Sequence, residues 1–174
     1  EIKSNGMLKL TNIGGLGWAN VEGENCTVIT SSGKEYTGTL LLNKASAHVH
    51  GADTATSERK ADTMQVRLDE KVSCKDDTRK LGIEVGDFVA FDPRTRVTSS
   101  GFIKSRHLDD KAGVAVILGI LKAIQEQKIQ LPCTTHFFFS NFEEVGHGAS
   151  AGIPAGVKEM LCIDMGAPGE GQQS

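Results

Sequence analysis

Three acidic positions carry most of the chemistry open to this 174-residue chain: Asp109 with Asp110, Glu143 with Glu144, and Asp164. Each is expected at the carboxyl end of a strand or in the loop beyond it, where open α/β sheets place their ligands. Asp109-Asp110 precedes a run that reads as a helix, so a carboxylate there can cap free amides and stay ionised in the field of the helix N-terminus. A rigid, charged oxygen donor is also what a divalent cation requires. Glu143 and Glu144 follow an apolar run and precede Gly146 and Gly148. Adjacent carboxylates in that setting repel, and solvent or a cation must relieve them. If one ligates an ion, its neighbour can act as a general base on water acidified by the metal. Asp164 ends Leu161-Cys162-Ile163 and opens onto Met165-Gly166-Ala167-Pro168-Gly169, a strand stopped by a glycine-rich loop. Taken singly, these are also a helix cap, a solvated acidic turn and an Asx turn. Taken together, acids at the ends of successive strands converge on one cleft.

The elements that must hold them have two textures. Residues 7–12, 25–30, 36–42, 64–68 and 88–91 read as short strands separated by turn residues such as Ser31-Ser32-Gly33-Lys34, the pattern of a small barrel or sandwich. Within that half, residues 73–81 place acids early, bases late and Gly82 just after, the polarity of a short helix closed by glycine. Residues 45–62 show neither helical nor strand period and read as an exposed loop. Beyond Pro93, residues 111–127 carry Ile117, Ile120, Leu121 and Ile124 at helical spacing, with Val114 and Val116 widening the face, so a mostly buried helix is expected. Residues 133–140, with three consecutive phenylalanines, and 160–163 read as interior strands of a helix-covered sheet. The expected fold is therefore a portion of an α/β domain, residues 94–174, joined to an all-β barrel-like domain, residues 1–93.

Composition narrows the partners. Nineteen basic against 22 acidic residues leave a charge of −3, without the Lys and Arg excess that phosphate binding needs, so nucleic acid is not expected. The apolar run 112–121 falls far short of the roughly 20 residues that span a bilayer, and no membrane association is expected. Cys26, Cys74, Cys133 and Cys162 are scattered without a Cys-x-x-Cys pair, which points to free thiols and a cytoplasmic setting. The chain opens on Glu1 and reads as part of something longer.

The ordered set Ser105-Arg106-His107-Leu108-Asp109-Asp110-Lys111-Ala112-Gly113, Phe142-Glu143-Glu144-Val145-Gly146-His147-Gly148-Ala149 and Ile163-Asp164 resembles the two-metal aminopeptidases of the glutamyl and deblocking family, whose members form tetrahedral particles. The β-rich half, with Ile83-Glu84-Val85-Gly86-Asp87 and Phe91-Asp92-Pro93, resembles the domain inserted in that family's catalytic domain. The resemblance implies a metal-bridging role for Asp109 with a cis Asp109-Asp110 peptide, a general-base role for Glu143, and metal-ligand roles for Glu144 and Asp164. It implies two divalent ions, zinc or cobalt, peptide substrates, and homo-oligomers built through the β-rich domain.

The family's two histidine ligands have no counterpart among these residues. His48 and His50 fall in the expected loop of the other domain; His107 suits packing or support of Asp109; His136 is expected in the core; His147 sits among glycines near the acidic pair. The chain by itself is therefore expected to be catalytically silent. A carboxypeptidase or deacylase would use the same activated water, and a non-catalytic assembly module is a different class of reading. A glycoside hydrolase does not fit, because sequence neighbours on an extended segment point apart and cannot flank one glycosidic bond.

Overall fold

A computed structural model describes residues 1–166, and the chain divides into two compact units, the first Glu1–Asp92 and the second beginning at Pro93. The first unit is built on an antiparallel sheet of β1 (Asn25–Ile29), β2 (Glu35–Leu42), β3 (Met64–Leu68) and β4 (Phe88–Phe91), in the order β3-β2-β1-β4. Cys26 and Val28 on β1, Gly38, Leu40 and Leu42 on β2, and Met64, Val66 and Leu68 on β3 are buried in strict alternation. That period of two is what a sheet with one covered face demands. The register aligns them across the strands: Cys26 opposite Gly38, Gly38 opposite Leu68, Leu40 opposite Val66, and Leu42 opposite Met64. At Gly38 the sheet needs glycine, since a Cβ would stand 2.6 Å from the Arg67 carbonyl oxygen and 2.9 Å from Val66 Cγ1.

Ile2, Leu8, Val21 and Ile83 complete this core. Tyr36 on β2 donates its hydroxyl to the Leu81 carbonyl at 2.6 Å, at the end of α3 (Lys75–Lys80). The sheet is open: among the described residues no ladder joins β3 to β4, so a closed barrel is not seen. Instead of the strand expected at 7–12, only Leu8 pairs, with Ile2 and Val66. A tight turn explains this, because Lys3 N–H donates to the Met7 carbonyl and Lys9 N–H to that of Glu1, so the chain folds on itself. The expected loop at 45–62 contains two single-turn helices, α1 (Ala47–His50) and α2 (Asp53–Thr56). They are held by polar contacts rather than an apolar face: Lys44 pairs with Asp53 at 2.6 Å and Thr54 Oγ1 donates to the Lys44 carbonyl at 2.9 Å.

The second unit opens with a two-residue hairpin, β5 (Arg96–Val97) against β6 (Ile103–Lys104), and continues into α4 (Leu108–Gln127). Regular helix starts at Lys111, because Asp109 and Asp110 have non-helical backbone angles. Ile117, Leu121 and Ile124 are half-buried along one face, whereas Val116 and Leu118 stay 53% and 54% exposed. The mostly buried helix of the sequence reading is thus not found, and neither are the interior strands. Residues 133–140 and 160–163 are irregular and make no ladder, and His136 is exposed rather than in a core. A central strand exists only through hydrogen bonds to neighbours on its flanks, and among the described residues these runs have none. Likewise a helix buries an apolar face only against another element packed on it. No helix among the described residues is long and apolar enough to cross a membrane.

Candidate metal centre

The helix start places the first acid. Asp110 occupies the N-cap position of the regular helix, and its Oδ1 accepts the Gly113 backbone N–H at 2.9 Å. This satisfies one of the free amides that every helix N-terminus presents. The peptide joining Asp109 to Asp110 is cis, as the resemblance implied. Asp109 is exposed and Asp110 half-buried.

Asp164 comes to the same place from far along the chain. One ligand atom from each of Asp109, Asp110 and Asp164 lies within 4.8 Å of the others. Asp164 is exposed, and its Oδ1 accepts the N–H of the next residue, Met165, at 2.7 Å, a more local contact than the Asx turn, which reaches two residues on. The loop beyond it passes from Met165 and Gly166 into residues outside those described. Three carboxylates this close repel one another, and hard oxygen donors at such spacing suit a divalent cation. The group therefore suits a divalent cation held by Asp109 and Asp164, with Asp110 beside them.

Glu143 and Glu144 are placed differently. They form a short 3-10 turn, Glu143–Val145, closed by Gly146 at φ 77°, and both side chains are exposed. Glu144 is outside the group formed by Asp109, Asp110 and Asp164. Two of the three expected metal ligands are brought together, and the third acid beside them is Asp110. The sequence offers Asp109-Asp110 as a pair, both as a helix cap and as an oxygen donor, and the resemblance implies a metal role for Asp109 alone.

No described histidine belongs to that group. His107 takes a left-handed conformation, φ 61°, just before Leu108, and His147 precedes the 3-10 turn Gly148–Ser150 with its N–H on the Phe142 carbonyl at 3.0 Å. His48 and His50 lie on α1 in the first unit. A cleft of about 370 Å³ in the second unit is lined by Pro93, Arg94, Arg96, Lys104, Ser105 and Arg106, cationic where the aspartate group is anionic.

Known proteins resemble this chain along its length. The Bacillus subtilis (strain 168) protein "Putative aminopeptidase YhfE" is 54% identical over 172 residues, which is 99% of this chain and 49% of that one. An aminopeptidase, APDkam598, from the archaeon Desulfurococcus kamchatkensis superposes with a TM-score of 0.59 at 27% identity, covering 70% of this chain and 31% of that structure. A TET aminopeptidase from a marine sediment Thaumarchaeota archaeon superposes at 0.64 with 20% identity, covering 76% and 36%, which shows the shared mixed α/β fold. The chain spans about half the length of the first of these relatives. The family model for M42 glutamyl aminopeptidase matches residues 1–174, and the chain belongs to that family.

Proposed function

We propose that the whole protein is a two-metal aminopeptidase that removes N-terminal residues from peptides, and that Asp109 and Asp164 hold its metals together with Glu144. The observation that carries this reading is the convergence of the Asp109 and Asp164 carboxylates in a chain matched throughout by an aminopeptidase family. Zinc or cobalt, when bound, would acidify water and polarise the scissile carbonyl. Asp109, Glu144 and Asp164 would be the residues that hold the ions. Glu143, free of ligation, would take the proton of the attacking water and pass it to the leaving amine.

The remaining parts of the reading follow the relatives. The β-rich unit, residues 1–93, would be an insert that mediates homo-oligomer contacts; one solved relative is a dodecamer in its asymmetric unit, and another assembles into a tetrahedron or a large octahedral shell. The protein would work in the cytoplasm. The 174 residues alone would be inactive, because the described residues supply oxygen donors to the site and no histidine.

The test uses the full-length protein with cobalt or zinc and chromogenic aminoacyl substrates. Free-amine substrates are expected to be cleaved, chelation to abolish turnover and added metal to restore it. Turnover confined to amine-blocked substrates would replace this reading with a deacylase or carboxypeptidase. Robust turnover by the 174 residues alone would overturn the claim that they lack essential ligands.

A further inference from the structure

Asp110 does more than end a helix. Its Oδ1 is committed to the Gly113 amide at 2.9 Å. Gly113 is the buried residue of α4, and a Cβ built there would collide with Asp110 Oδ2 and lie 2.8 Å from its Cγ and Oδ1. The carboxylate thus fills the space that any side chain at position 113 would need. A carboxylate oxygen of the same residue lies within 4.8 Å of one from Asp109 and one from Asp164. One peptide bond separates it from Asp109, so whatever fixes residue 110 also fixes the direction from which Asp109 reaches Asp164.

We propose that Asp110 is a positioning residue of the metal centre: it is clamped onto the first turn of α4 through Gly113, sets the stance of Asp109, and is not itself a ligand. This rests on the metallopeptidase reading above. The clamp needs a hydrogen-bond acceptor at residue 110 and the absence of a side chain at 113; it does not need the charge. Asparagine keeps the acceptor oxygen and loses the charge, serine keeps a capping oxygen of another shape, and alanine loses both. Capping and ligation are therefore separable by substitution.

The experiment titrates cobalt into the metal-free full-length protein, following the visible d–d bands and bound metal by equilibrium dialysis, for wild type, D110N, D110S, D110A and G113A. Each variant's thermal midpoint is also measured without metal. D110N is expected to bind within about threefold of wild type with the same bands. D110A and G113A should bind about tenfold or more weakly, the usual scale for losing support of a ligand, with altered bands, and D110S should recover part of the loss. Loss of cobalt by D110N as complete as by D110A would make Asp110 a ligand and overturn the proposal. Wild-type binding by D110A would overturn it as well, while leaving the metallopeptidase reading intact. Wild-type protein that takes up no cobalt would bring down that reading and the positioning role together. If D110A does not fold, the comparison of D110N with D110S and G113A decides by the same criteria.

Discussion

The buried Thr78 hydroxyl donates a 2.7 Å hydrogen bond to the Gly6 carbonyl, tying α3 to the tight turn at the start of the chain. Gly6 adopts φ 81°, and a Cβ there would stand 3.0 Å from the Cys74 carbonyl oxygen, so the turn and the helix start fit only with glycine between them. T78V keeps the shape and strands the carbonyl. It is expected to cost about 1–3 kcal/mol in urea unfolding, the penalty for leaving a buried polar group unsatisfied. T78S, which keeps the donor, should cost less than T78V; equal stability of T78V and wild type would show that the bond contributes nothing.

Asp77 accepts hydrogen bonds from the Ser73 backbone N–H at 3.1 Å and from its hydroxyl at 2.9 Å. These bonds, with a lesser one from Cys74, hold its carboxyl down at about 2. A depressed folded-state value stabilises the protein above the unfolded-state value, near 4, and that contribution disappears as pH falls through the folded-state value. Acid destabilisation from this site therefore falls between about pH 4 and pH 2. Carboxyl NMR titration should find the Asp77 midpoint raised in S73A, which removes the hydroxyl and keeps the backbone N–H; an unmoved midpoint would refute the share assigned to the hydroxyl.

Cys26 is buried on β1, and burial pushes its thiol up to about 12, whereas Cys74, Cys133 and Cys162 are exposed. The thiolate is the reactive form, so access and ionisation both protect Cys26. Ellman's reagent at pH 8 should modify the other three first, with Cys26 reacting only on unfolding, as read by peptide mass spectrometry. Early labelling of Cys26 would contradict the packing of β1 against β2.

For the proposed chemistry, E143Q in the full-length protein should lower kcat by about 10²- to 10⁴-fold, the usual contribution of a general base, with little change in bound metal. E144Q should instead lose metal. An E143Q enzyme with wild-type kcat would remove Glu143 from the mechanism.

What was legible in the residues follows from where local rules suffice. β3 and β4 stand at 64–68 and 88–91, as short apolar stretches set off by turn residues indicate, and α3 lies inside the stretch marked by its charges and Gly82. The short helices at 47–50 and 53–56 escaped because ion pairs and hydroxyl contacts build them, and such contacts leave no periodic trace. The runs at 133–140 and 160–163 looked like interior strands because they are apolar, but composition records a preference for burial and not the partners that satisfy it. At the site, Asp109 and Asp164 were readable as acids of one ordered motif, although the run before Asp164 is no strand. The company of Asp110 depends on how a helix start turns, which spacing alone does not reveal.

Val114, Val116, Leu118 and Ile120 leave greasy surface on several sides of α4, between 39% and 54% open to water. Oily patches of this kind are sticky in dilute solution and invite self-association. Handling the 174 residues by themselves will therefore be a problem of colloid chemistry before it is one of enzymology: low concentration, cold and a mild detergent are the starting conditions, and clouding on warming is the behaviour to watch for.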